Sequence, residues 1–130
     1  MRNAPTTANV APPQAHYSHV VVSHPGDLLW VAGQVPVTPD GALVVGDARA
    51  QARQVLDNLE QVRHAAGATL DDVVKTTTFL VDLDDRSAVG AVRQERFAAP
   101  PPANSLLVVR SLAHPSFRVE IEAVAVAPEP

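Results

Sequence analysis

The segment from Phe117 to Val126 constrains the fold more than any other. Phe117, Val119, Ile121, Ala123 and Ala125 fall on one side of an extended chain, and Arg118, Glu120, Glu122 and Val124 fall on the other, because successive strand side chains alternate faces. A strand with one wholly apolar face must bury that face against a second layer. The chain supplies such a layer upstream. Asp47 is placed to cap a helix, and Ala48, Ala52, Val55, Leu56, Leu59, Val62 and Ala66 recur at helical spacing up to Gly67. The mid-strand carboxylates Glu120 and Glu122, set among apolar residues, need a reason of their own.

Around these two elements the rest follows. Residues 16–23 read as a strand, Pro25-Gly26-Asp27 as a turn, and residues 28–31 as a second strand running into Ala32-Gly33-Gln34. Thr38-Pro39-Asp40-Gly41 reads as a turn before a short third strand over 42–45. Thr69 with Asp72 forms a small capping turn, and the β-branched run 73–81 is a strand. A second helix, weakened by Gly90, starts near Asp84 or Asp85 and stops at Phe97, ahead of a proline run. Strands over 105–109 and 117–126 close the chain. The expected order is β-β-β-α-β-α-β-β, an α+β layout with two helices packed on one face of a mixed sheet. The other sheet face is left bare, to be covered by other subunits. Residues 1–13, rich in Ala, Pro, Thr and Asn, read as a flexible or loosely docked lead-in, and residues 14–130 as a single domain.

Composition narrows the function. The 130 residues carry a net charge of −4 and scattered cations, which gives no electrostatic case for nucleic acid. Aromatics are 4%, so Val, Leu and Ala must build the core. The absence of cysteine removes disulfides, thiolate metal sites and thiol nucleophiles, and fits a reducing cytoplasm. No apolar run is long enough to span a membrane, and no signal peptide is visible. No His, Asp and Glu cluster has metal-ligand spacing, and neither a phosphate loop nor a nucleophile elbow occurs.

Several segments, taken in order, carry a resemblance. They are Tyr17-Ser18; Gly33-Gln34-Val35-Pro36; Gln51 to Leu59; Ala65-Ala66-Gly67; Asp72 to Thr77; Pro101-Pro102-Ala103; and Val119 to Ala123. Together they resemble the Rid family of reactive intermediate deaminases, also called the YjgF family, over about residues 16 to 126. The resemblance implies a fold similar to that of the small trimeric chorismate mutases, and a homotrimer with small-molecule sites in the clefts between subunits. It implies hydrolysis of enamines and imines to a carbonyl compound and ammonia, without metal or cofactor.

The resemblance also assigns residues. Glu120 is carried over as the catalytic group that positions the attacking water, a general-base type of role. Tyr17, the backbone at Gly33, and Asn104, Ser105 and Leu106 are carried over as substrate-binding. Asn104 stands where the family's carboxylate-clamping arginine is found, Leu106 where it has cysteine, Ala32 where it has serine, and Gly90 at about the place of an asparagine. Losing an arginine–carboxylate contact forfeits roughly 1.5–3 kcal/mol, or one to two orders of magnitude in affinity. The expected substrate is therefore not a simple 2-imino acid, unless Arg110 or Arg118 replaces the missing cation. His16, beside Tyr17, is a further candidate acid or base. The plainer alternatives are pairing of Glu120 with Arg118 or Arg110, a structural Glu122, and interface roles for Tyr17 and His16. Two other functions stay open: a dedicated non-hydrolytic pathway enzyme steering a cyclisation or condensation, and a metabolite-binding or chaperone-like module without turnover.

Overall fold

The alternating strand sits inside the sheet, where its apolar face meets both helices. The computed structural model describes residues 2–128. Its regular elements are β1 (Leu28–Gln34), α1 (Ala48–His64), β2 (Val73–Leu80), α2 (Arg86–Arg96), β3 (Ala103–Val108) and β4 (Val119–Val126), with short 3-10 turns at Leu70–Asp72 and Leu83–Asp85. The sheet order is β1-β4-β2-β3, with β4 antiparallel to both its neighbours and β2 parallel to β3. A parallel pair needs a crossover, and α2 is that crossover. The fold is the expected α+β class, two helices on one face of a mixed sheet.

Val119, Ile121 and Ala125 have no accessible surface, and they pack with Ala52, Val55, Leu56 and Leu59 of α1 and Val89 and Val92 of α2. Asp47 caps α1 by accepting the Ala50 N–H at 2.9 Å. Thr69 donates its backbone N–H to Asp72 at 2.8 Å, closing the expected capping turn. Near its C-terminus α1 departs from the simple pattern: Val62 is exposed and Arg63 is buried. The Arg63 guanidinium nitrogens have no hydrogen-bond partner among the described residues.

Two of the expected strands are reduced to single bridges. Residues 16–23 contribute only the bridges Ser18 with Ala103 and Val22 with Asn3. Ser18 bonds Pro101 and Pro102 carbonyls, at 2.6 Å through Oγ and 3.2 Å through N. The ladder cannot run back along that proline pair, which has no N–H to return, and onward the segment makes no further bridge to β3. Residues 42–45 likewise form one bridge, Val37 with Leu43, because Pro36 and Pro39 interrupt the opposing segment. The regular order is therefore β-α-β-α-β-β. Within the lead-in, Arg2 is buried and donates to the carbonyls of Pro100, Leu70, Val73 and Ala98, while residues 5–15 are exposed.

Candidate functional site

A cavity of about 430 Å³ lies between α2, β3 and the segment before Ser18. The sheet side of it comes from β3, whose period of two presents Asn104, Leu106 and Val108 together. Those residues pair with β2 at Thr76, Thr78 and Leu80, which are buried beneath the helices. The helix side comes from Arg86, Val89, Gly90 and Arg93, spaced i, i+3, i+4, i+7 and hence on one face of α2. A Cβ added to Gly90 would meet nothing within 4 Å. His16 and Tyr17 close the third side. His16 Nε2 lies 2.8 Å from the Phe97 carbonyl, so that nitrogen is the donor.

Asn104 is held by two hydroxyls. Thr76 and Thr78 both donate to its Oδ1, at 2.8 and 2.9 Å. Thr76 in turn accepts from Arg93 Nη1 at 3.0 Å. The Arg93 guanidinium also lies 3.5 Å from the His16 carbonyl and 5.1 Å from the Phe97 ring centroid. Arg93 is 4% exposed. Burial, and secondarily Arg2, pushes its pKa down to about 10, so it stays charged at neutral pH.

Other expected site residues lie elsewhere. Phe79 pairs with Glu120 and Thr77 with Glu122, so these side chains occupy the sheet face turned away from the helices. An irregularity in β1 between Val31 and Gln34 brings Gly33 beside Glu120. A Cβ on Gly33 would overlap Glu120 Oε2 and stand 2.8 Å from its Cδ. Ser105 is on this outer face too, accepting from Lys75 Nζ at 2.8 Å. Arg118 forks onto Asp85, at 3.0 Å through Nε and 2.7 Å through Nη2, and is occupied there. Arg110 follows β3 and does not line the cavity.

The chain thus divides the candidate residues in two. His16, Tyr17, Asn104 and Leu106 share the cavity under α2; Gly33, Glu120 and Ser105 share the opposite sheet face. Arg86 and Arg93 were not singled out from the sequence. The signal for them was present, since they lie seven residues apart on the helix face that also carries Gly90. No group of three or more His, Asp or Glu residues placed to hold a metal occurs among the described residues. Among them, no helix is long and apolar enough to cross a membrane.

Comparison with known proteins gives a consistent picture. The family model described as endoribonuclease L-PSP matches residues 7–127. A RutC family protein of Pyrococcus horikoshii is 36% identical over 96% of this chain and 98% of its own length. The 2-iminobutanoate/2-iminopropanoate deaminase of Escherichia coli is 41% identical, covering 78% of this chain and 80% of its own. Among solved structures, the Rid family protein YyfB of Yersinia pestis, of unknown function, superposes with a TM-score of 0.87 at 38% identity, covering 96% of this chain and 98% of that one.

Proposed function

The chain belongs to the Rid family, matched as endoribonuclease L-PSP, and from that premise we propose that it hydrolyses a reactive enamine or imine in clefts formed between copies of itself. One observation carries the reading: the two halves of the candidate site lie on opposite faces of one sheet. No side-chain rotation brings Glu120 to Asn104 within a chain, because alternate strand residues point apart. A second copy docking its outer face against the cavity of the first would unite them. That outer face carries large exposed apolar side chains beside its carboxylates, Trp30 76% and Leu28 50% accessible, as a face buried between subunits is expected to. A homotrimer supplies three such clefts.

The chemistry is a hydrolysis. Glu120 holds a water and accepts one of its protons as the oxygen adds to the C=N carbon. The nitrogen takes up a proton, giving a carbinolamine. Collapse then breaks the C–N bond, releases ammonia and leaves the carbonyl compound, so water is consumed and no oxidant or reductant is needed. Backbone N–H groups near Gly33 and along residues 104–106 stabilise the polarised nitrogen and oxygen; β3 is an edge strand and has N–H groups to spare. Tyr17 and Leu106 shape the cavity wall. The deaminase named among the relatives supports this class of reaction.

The test is an imine generated by an amino-acid oxidase and trapped by semicarbazide. The protein should reduce trapping, and Glu120→Ala should lose that effect by about a hundredfold or more. Equal trapping with and without protein across varied imines would overturn the hydrolytic reading. Ligand binding without turnover would then point to the metabolite-binding alternative.

A further inference from the structure

The cavity under α2 contains two guanidinium groups and no carboxylate among its lining residues. Arg93 is the more telling of the two. It is buried, and among the described residues its hydrogen bonds run from Nη1 and Nη2 alone, to two neutral oxygens, Thr76 Oγ1 and the His16 carbonyl. A guanidinium presents five N–H donors, so much of its capacity has no partner among the described residues. The charged groups coupled to it, Arg2 and Lys75, are also cations. A buried charge is ordinarily paired, and this one faces open volume instead of an acid. Two helical turns away, about 10 Å along the axis, Arg86 lies on the same face, exposed and with no ion pair among the described residues.

We propose that Arg93, assisted by Arg86, forms an anion-binding subsite on α2 that takes the carboxylate of the ligand, in place of a cation at residue 104. The position of Asn104 fits this division. Its Oδ1 is spent on Thr76 and Thr78, and Thr76 links it to Arg93, so residue 104 orients the wall while the helix supplies the charge. The ligand is then a carboxylate-bearing imine or enamine whose charged end lies under α2, not against β3. This deepens the hydrolytic reading and rests on it for the word substrate, but not for the word anion.

Pyruvate and pyruvamide are near-isosteric probes that differ in charge, and their binding can be read by calorimetry or NMR without turnover. Pyruvate should bind more tightly by about tenfold or more. Arg93→Gln and Arg86→Gln should each erase most of that preference, bringing pyruvate affinity down towards that of pyruvamide. Arg93→Lys, which keeps the charge, should retain part of it. Arg86 is exposed, so its variant reports even where the Arg93 variants fail to fold. Equal affinity for the two probes, or a preference that survives both Gln variants, overturns the subsite. So does a preference that emerges only in Glu120→Gln, since the anion facing Arg93 would then be Glu120 of a neighbouring copy. A protein that prefers pyruvate through these arginines yet hydrolyses no imine keeps the subsite and loses the hydrolytic function. One that hydrolyses neutral and anionic imines alike keeps the function and loses the subsite.

Discussion

Gly33 and Glu120 are tied together by local geometry. The φ of Gly33 is not in the left-handed region, so alanine is allowed there by the backbone. What forbids it is the carboxylate lying over the glycine, 2.8 Å from the added Cβ at Glu120 Cδ. Gly33→Ala should therefore fold, because the obstacle is the end of a flexible side chain, and should misplace Glu120. We expect kcat on a trapped imine to fall by about tenfold to a hundredfold with little change in melting temperature. A variant that melts early with kcat intact would place the role of Gly33 in folding instead. The charge state of Arg93 gives a second residue-scale prediction. Its pKa, lowered to about 10 by burial and by Arg2, is depressed in the fold, so the group is still protonated throughout neutral pH and loses its charge only above that value. Pyruvate affinity should be flat between about pH 6 and 9 and weaken beyond. A fall within that window would assign the charge to a group other than Arg93.

At the scale of elements, α2 is where reading the sequence ran out. Its existence and its end at Phe97 were legible from the aspartates before it and the prolines after it, whereas its cavity-lining face was not. Gly90 read as a weakness, yet it faces open space and makes room for the cavity. Gly90→Ala should raise stability by roughly 1 kcal/mol, about 4 °C in melting temperature, and weaken ligand binding by narrowing the cavity. No gain in melting temperature would mean that a neighbouring copy already occupies that space. The inner face of β4 was legible because alternation is a local property, and the cap at Asp47 for the same reason. The segments 16–23 and 42–45 misled because their own residues suit strands; 42–45 meets Pro36 in the opposing segment, 16–23 touches β3 at Ser18 alone, and pairing partners are not visible locally. Arg93 was missed for a like reason, since a cation is recognised as unpaired only when its surroundings are known.

The whole molecule carries the strongest constraint on function. Its sheet separates the cavity under α2 from the face that bears Glu120, and Trp30 and Leu28 are exposed on that second face. The resemblance to Rid proteins supplied the expectation of an intersubunit site, and the division of residues gives that expectation a physical basis in one chain. It also has a genetic consequence. Two variants disabled on opposite faces, Glu120→Gln and Arg93→Gln, should rescue one another when co-expressed. With random assembly of equal amounts in a closed ring, about a quarter of the clefts draw both intact halves. The mixture should therefore exceed either parent in activity on an anionic imine below saturation, while mixing two variants of the same face gains nothing. Two damaged copies inherited together would then mask one another when the damage lies on opposite sides of the sheet, and be exposed when it lies on the same side.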